Sequence, residues 1–206
     1  MARPITKKKL IESGVVDVIA RKGLRGTTIQ DIASQAGVSP GLLYRYWTDR
    51  DDLAAEVYRQ HFTSLLERVN VAGRPHRDLW DKLHSILDEF LIFADESPIV
   101  LKFLLLSQHD LSGSVAATGG IRTFLRSIFA EGIAQGVVRE ADPDLALQVA
   151  LGIAVQPVVG VVYGHLAGPA RPYSDKIFAA LMRALATERL LKRLRPACKS
   201  ALASED

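Results

Sequence analysis

The stretch at residues 27–47, TTIQDIASQAGVSPGLLYRYW, contains two short segments of helical character separated by a glycine. Isoleucines and alanines share one face over residues 29–36, and Gly37 closes that segment. Ser39 is a good N-cap for the second segment, and Pro40 fits its first helical position, where a missing N–H costs no hydrogen bond. Two short helices joined by such a turn predict a helix-turn-helix.

A longer amphipathic helix precedes this stretch. Apolar residues recur at helical spacing over residues 5–22, and Gly23 follows as the expected C-terminal stop. Thr27 and Gln30 have the spacing of a capping box, which predicts where the second helix begins.

The aromatic residues that end the stretch divide between two sides of its second helix. Leu43 and Trp47 are four residues apart, so they share a face, which we expect to be core. Tyr44 and Arg45 point away from that face, whereas spacing alone leaves Tyr46 unassigned. An outward tyrosine can contact a phosphate or a thymine methyl, and an outward arginine can contact a guanine edge or a phosphate.

The charge distribution favours an anionic partner for the first quarter of the chain. Residues 1–50 carry nine Lys and Arg against four Asp and Glu, whereas residues 51–206 carry seventeen against nineteen. Nucleic acid is the first candidate for such a partner. On charge alone, a solvated charged face is the alternative.

Residues 10–57 resemble the N-terminal domain of the TetR family of bacterial transcriptional regulators. The resemblance rests on GLRGTTIQDIASQAGVS, on GLLYRYW, and on Arg50 and Leu53 beyond them. Trp47 stands where the family usually has phenylalanine, and Arg50 stands where it usually has lysine. The resemblance implies an all-α fold with an N-terminal three-helix DNA-binding domain containing the helix-turn-helix. A C-terminal helical ligand-binding and dimerisation domain is expected to follow.

The resemblance also implies which residues face DNA. Because Gly41 has no side chain, the backbone of the helix could approach a DNA groove closely there. The N-terminus of the same helix would bind a phosphate. Lys7, Lys8 and Lys9 are expected near the DNA backbone, with a frayed, solvated terminus as the alternative. The expected DNA-facing set is Thr28, Ser39, Pro40, Gly41, Tyr44, Arg45, Tyr46 and Arg50.

The remaining sequence predicts helices, without persuasive strand alternation. A helix over 49–70 should connect a helix-turn-helix DNA-binding domain at 1–50 to an effector-binding and dimerisation domain at 51–206. Further helices are expected at roughly 76–95, 98–110, 115–135, 143–166 and 174–194.

Residues 145–166, LALQVALGIAVQPVVGVVYGHL, are long and apolar enough to span a membrane. Polar residues interrupt the stretch, and neither basic clusters nor an aromatic belt flank it. We therefore expect a helix buried on all sides, with a membrane-associated sensor as the alternative. The family resemblance implies that helices 143–166 and 174–194 pair with those of a second subunit.

The sequence predicts neither an enzyme nor a cofactor or metal site. Phosphate-cradling, nucleophile-elbow and zinc-protease patterns are absent, and the histidines lack metal-site spacing. The single cysteine, Cys198, excludes a disulfide framework and fits a reducing cytoplasm. Residues 1–24 show no secretory signal.

The resemblance further implies a small-molecule pocket between the C-terminal helices. Polar side chains set in apolar stretches, together with nearby aromatic rings, are the candidates for its lining, and their apolar bias favours a hydrophobic effector. For each of them a satisfied core or interface position is the alternative. The candidates are His84, Phe90, Phe103, Gln108, Phe124, Gln156 and Tyr163.

These features together predict a homodimeric, ligand-responsive DNA-binding regulator of the cytoplasm. We expect a repressor that releases a palindromic operator when a small effector binds the C-terminal domain. The alternative is a small-molecule-binding protein with a vestigial DNA-binding domain.

Overall fold

The structure, a computed structural model, describes residues 7–111 and 119–192, and these ranges consist of α-helices joined by turns and loops, with a short 3-10 helix at Arg171–Tyr173. Extended pairing there is limited to an isolated antiparallel bridge between Val138 and Ala186, so the all-α prediction is confirmed. The helices are α1 Lys7–Lys22, α2 Ile29–Ala36, α3 Pro40–Leu43, α4 Arg50–Gly73, α5 Leu79–Glu96, α6 Pro98–Leu111, α7 Gly119–Ala134, α8 Pro143–Val162 and α9 Ser174–Leu185.

The described residues form two compact units. The first contains residues 7–68 and 96–111, and in it α1 packs against α2 and α6. The second contains residues 69–95 and 119–192, and in it α8 packs against α7 and α9. The division after residue 50 that the sequence suggests stays a prediction.

The first unit is held together by buried aliphatic and aromatic side chains. Phe103 of α6 is fully buried and contacts the ring of Tyr58 on α4, with centroids 6.0 Å apart. Each such side chain contributes about 1.5–3 kcal/mol by its burial. The other fully buried side chains of this unit include Val15, Val18, Ile19, Ile32, Leu43, Leu53 and Val57.

The second unit has a separate core formed by α5, α7, α8 and α9. Trp80, Phe129, Leu147 and Leu181 are buried in it, one from each of these helices. Just after α9, Ala186 adopts extended backbone and pairs with the segment that follows α7.

The start of α2 differs from the sequence prediction. The capping box is formed by Thr28 and Asp31: Asp31 N–H donates to Thr28 Oγ1 at 3.1 Å, and Thr28 N–H donates to Asp31 Oδ2 at 2.9 Å. The predicted box at Thr27 and Gln30 is wrong because Thr27 is buried and its hydroxyl donates to the Gly23 carbonyl at 2.7 Å.

Two predicted helices are shorter than the sequence suggested. Helix α8 ends at Val162, and Gly164 follows with a left-handed φ of 75°, which stops the expected extension to residue 166. Helix α9 ends at Leu185, because the next residue leaves the helical conformation, and residues 188–192 are helical again. The predicted continuous helix at 174–194 is therefore wrong; residues 193 and 194 and Cys198 lie outside the described residues.

Helix α8 is also less buried than predicted. It is long and apolar enough to cross a membrane, but only 28% of its most apolar window is buried inside the single chain. Leu145 and Leu151 are 48% and 36% exposed. The prediction of a helix buried on all sides is therefore wrong for one chain taken alone.

The α2 cap generates a prediction about pH. A hydrogen bond from Lys22, followed by those from Thr28, lowers the pKa of Asp31 from 3.8 to about 2. Because the folded state favours the ionised carboxylate, its stabilising effect is complete above about pH 4 and is lost as the pH falls through about 2.

We expect Asp31→Asn to lower the free energy of unfolding near neutral pH, and we expect the gap from the wild type to shrink between about pH 4 and pH 2. Urea denaturation of both proteins at a series of pH values measures this gap. A gap that stays constant across that range would contradict the role given to the carboxylate.

Candidate nucleic-acid interface

The turn between α2 and α3 depends on Gly37. Its backbone has φ 65° and ψ 35°, the left-handed region that glycine adopts without steric cost. Its N–H donates to the carbonyls of Ala33 and Ser34, and Val38 N–H donates to the Ala33 carbonyl at 3.0 Å. These bonds satisfy the last carbonyls of α2 and fix the direction in which the chain enters α3.

Helix α3 is one turn long, and Tyr44 and Tyr46 lie in the hydrogen-bonded turn that follows it. Trp47 N–H nevertheless donates to the Leu43 carbonyl at 3.0 Å, so the four-residue spacing of a helix is kept. Ser39 occupies the N-cap position without a side-chain cap bond. Its hydroxyl is therefore not committed to α3.

Burial divides this segment into a buried anchor, formed by Leu43 and Trp47, and a set of exposed residues. Leu43 and Trp47 are 0% and 8% exposed, whereas Tyr44 and Tyr46 are 56% and 67% exposed. The structure thus assigns Tyr46, which spacing had left open, to the outside. We call the outward-facing residues the exposed edge; its members are Ser39, Pro40, Gly41, Tyr44, Arg45 and Tyr46.

The buried anchor has a polar attachment that sequence reasoning did not find. Trp47 Nε1 donates to Glu56 Oε2 at 2.7 Å, and Glu56 Oε1 accepts from Lys8 Nζ at 3.1 Å and from Gln60 Nε2 at 3.0 Å. The indole N–H and then Lys8 lower the pKa of Glu56, against the opposing effect of burial. A buried indole N–H usually has a hydrogen-bond partner. Which residue is the partner of Trp47 depends on how α4 packs, so the sequence alone did not identify Glu56.

Two of the predicted DNA-facing residues have internal partners. Arg50 Nη1 donates to the Thr27 carbonyl at 2.8 Å, and Arg50 Nε donates to Asp51 Oδ1 at 2.7 Å. Thr28 is exposed, but its hydroxyl donates to Asp31 Oδ2 at 2.8 Å. Arg50 therefore ties the start of α4 to the segment before α2, and neither side chain belongs to the exposed edge.

The predicted ligand-binding residues fall into both units. Phe103 and Gln108 lie in the first unit, where Phe103 is a core residue and Gln108 is exposed. The five that lie in the second unit are His84, Phe90, Phe124, Gln156 and Tyr163.

Within the second unit, these five residues differ in their surroundings. The ring of His84 stacks on Phe178 with centroids 4.3 Å apart, and Phe90 and Phe124 are half-buried. Gln156 and Tyr163 are exposed on α8 and just after it. The structure therefore does not gather the set into one cluster of either unit.

No group of three or more His, Cys, Asp or Glu side chains in the described part of the chain could hold a metal ion. The acidic residues near the exposed edge form hydrogen bonds within the first unit instead, as Glu56 does with Trp47. What this region offers a partner is therefore a set of exposed aromatic, hydroxyl and guanidinium groups.

Comparison with known sequences points to one family. Residues 14–57 match the family profile described as bacterial regulatory proteins, tetR family. The fatty acid metabolism regulator protein of Bacillus subtilis is 26% identical over 148 residues, which are 69% of this chain and 76% of that protein. The HTH-type transcriptional regulator YhgD of the same organism is 23% identical over 154 residues, which are 71% of this chain and 80% of that protein.

Comparison of structures agrees with the sequence match. The fold is similar to that of the transcriptional regulator FadR from Bacillus subtilis, whose crystal structure is a complex with stearoyl-CoA. The TM-score is 0.76 at 21% identity, over 86% of this chain and 98% of that chain. At this identity, the similarity establishes the fold.

The matched segment contains the helix-turn-helix with its buried anchor and exposed edge. The related proteins are transcriptional regulators and not enzymes. The family profile, the related sequences and the similar structures all indicate the TetR family of bacterial regulatory proteins.

Proposed function

We propose that this regulator is a cytoplasmic repressor that binds a palindromic operator as a homodimer and releases it when a hydrophobic effector binds. The observation that carries the proposal is the exposed edge beside a fully buried Leu43. Two tyrosines more than half exposed within three residues of each other give an aromatic surface suited to a partner.

The chemistry of the exposed edge fits the major groove of DNA. A Cβ at Gly41 would meet no atom within 4 Å, so this side of α3 is open to close approach. Tyr44 offers a hydroxyl to a phosphate and a ring to a thymine methyl, and Arg45 offers two parallel donors to a guanine edge. The Ser39 hydroxyl and the N–H groups at the start of α3 suit a phosphate.

We expect Tyr44→Ala and Arg45→Ala each to weaken binding by about tenfold or more, since a good base or phosphate contact is worth on the order of 1–3 kcal/mol. The target is the duplex that the wild-type protein enriches from random DNA, and the measurement is fluorescence anisotropy at fixed salt. Melting temperatures should hardly change, because both side chains are exposed.

Arg139→Ala is the matched control, because it removes an exposed arginine from the second unit. Wild-type affinity in both edge variants would disprove the assigned DNA-binding face. Failure of the wild type to enrich any duplex would instead favour a small-molecule-binding protein with a vestigial DNA-binding domain.

The apolar face of α8 supports the proposed dimer. Leu145, Leu151 and Leu166 are more than a third exposed, and Gly152 has open space where a Cβ would lie. A second copy of α8 and α9 would cover these exposed apolar side chains, so no membrane is needed to cover them. We call residues 39–47 the recognition segment. The recognition segments of the two copies, related by a two-fold axis, could then contact half-sites about 34–36 Å apart.

We expect Leu151→Glu to convert the dimer to a monomer at micromolar concentration, because a carboxylate would become buried without a partner at the proposed interface. Light scattering after size exclusion measures the mass. Ile99→Glu, at an exposed isoleucine on α6, serves as the control and should leave the dimer intact. A dimeric Leu151→Glu protein, or a monomeric wild type, would contradict this interface.

The proposed effector follows from the related proteins and from the apolar second unit. One relative is named a fatty acid metabolism regulator, and one similar structure holds stearoyl-CoA. We infer a hydrophobic effector of acyl character that binds between helices of the second unit. His84, Phe90 and Phe124 remain candidates for its lining, because they are partly buried there.

Stearoyl-CoA should lower the affinity for the selected duplex, and coenzyme A alone should not. A 100-fold loss requires the ligand to prefer the released conformation by about 2.7 kcal/mol. Titration of the protein–duplex complex with either compound measures the effect. Equal behaviour of the two compounds, or tighter DNA binding with stearoyl-CoA, would contradict an acyl-responsive repressor.

A further inference from the structure

The residue that anchors the recognition segment is a tryptophan, and its indole N–H has a charged partner. Trp47 is 8% exposed, and its Nε1 lies 2.7 Å from Glu56 Oε2 on α4. A phenylalanine at this position could fill the same space but could not donate this bond. The bond is directional, so it restrains the orientation of the ring as well as its depth.

The acceptor carboxylate is itself held by two other side chains. Glu56 Oε1 accepts from Lys8 on α1 at 3.1 Å and from Gln60, one turn along α4, at 3.0 Å. One carboxylate therefore joins α1, α4 and the segment after α3. These contacts all lie within the first unit.

The segment between the two anchors needs such a restraint. Only four residues form α3, and the edge residues Tyr44–Tyr46 lie in the turn that follows it. Leu43 fixes one end through burial alone, and an aliphatic side chain has no directional bond. Recognition requires side chains to be held within about 0.5 Å of their productive positions.

We infer that Glu56 is a positioning residue for DNA recognition: its carboxylate orients the Trp47 ring against α1 and α4 and thereby sets the angle of the exposed edge. The inference rests on the proposed DNA-binding face. It adds to that proposal a residue on α4, outside the helix-turn-helix, that controls affinity without facing DNA.

The test compares Glu56→Ala and Glu56→Gln, each with the natural tryptophan and in the W47F background. Glutamine keeps an oxygen that can accept from the indole, whereas alanine removes it. With the natural tryptophan, we expect E56A to weaken binding to the selected duplex by about tenfold and E56Q by less than about threefold. In the W47F background the difference in affinity between the two Glu56 substitutions should shrink, because the indole donor is absent.

A second readout reports the bond without DNA. The indole N–H proton of Trp47, identified by its loss in W47F, should exchange slowly with solvent in the wild type and E56Q and faster in E56A. All affinities are measured at a temperature at which circular dichroism shows that each variant is fully folded, so that unfolding does not lower the measured affinity. Glu67→Ala is the matched control, since it removes an exposed glutamate from the same helix, and it should change affinity by less than about twofold.

Three outcomes would overturn the inference. The first is wild-type affinity in E56A, and the second is an E56A loss of the same size with and without the W47F substitution. The third is an unchanged indole exchange rate in E56A. If E56A does not fold, equal affinity of W47F and wild type overturns it. Failure of the wild type to bind any selected duplex counts against the proposed function, whereas these outcomes count against the role of Glu56 alone.

Discussion

The burial of Leu43 and Trp47 is the constraint on which the recognition segment depends. Both side chains lie in the core of the first unit. The side chains between them, among them Tyr44 and Tyr46, point away from that core. The left-handed turn at Gly37 directs the chain so that Leu43 reaches this core. The hydrogen bond from the indole to Glu56 orients Trp47. The surface that we propose for DNA is thus exposed because its neighbours Leu43 and Trp47 are buried.

In the second unit, by contrast, apolar side chains of α8 remain exposed. Its core buries one side of α8, yet Leu145 and Leu151 remain exposed on a helix apolar enough to cross a membrane. These exposed apolar side chains are the basis of the proposed dimer interface. In the proposed homodimer, a second copy of the chain would cover this surface.

Sequence reasoning succeeded where the signal was local. The stop at Gly37 and the four-residue spacing of Leu43 and Trp47 required no knowledge of the packing partners, and both features are present in the structure. It failed where a partner from elsewhere decided the outcome. Burial of Thr27 moved the capping box by one residue, and pairing with the segment after α7 ended α9 early.

The polar contacts of the site were the least predictable part. Glu56 lies nine positions after Trp47 in the sequence, and Thr27, whose carbonyl Arg50 reaches, lies twenty-three positions before Arg50. Neither spacing repeats a helical period on a single face, so only the packing of α4 against the preceding helices reveals the pairs. The predicted ligand set is divided between the two units for a related reason, since composition alone does not place Phe103 in the first unit.

Hydroxyl-radical footprinting with mass spectrometry, with and without the selected duplex, tests the division into anchor and edge most directly. Tyr44 and Tyr46 should be oxidised readily in the free protein and protected in the complex, whereas Trp47 should be protected in both. Equal oxidation of the two tyrosines with and without bound duplex would contradict the proposed DNA-binding face.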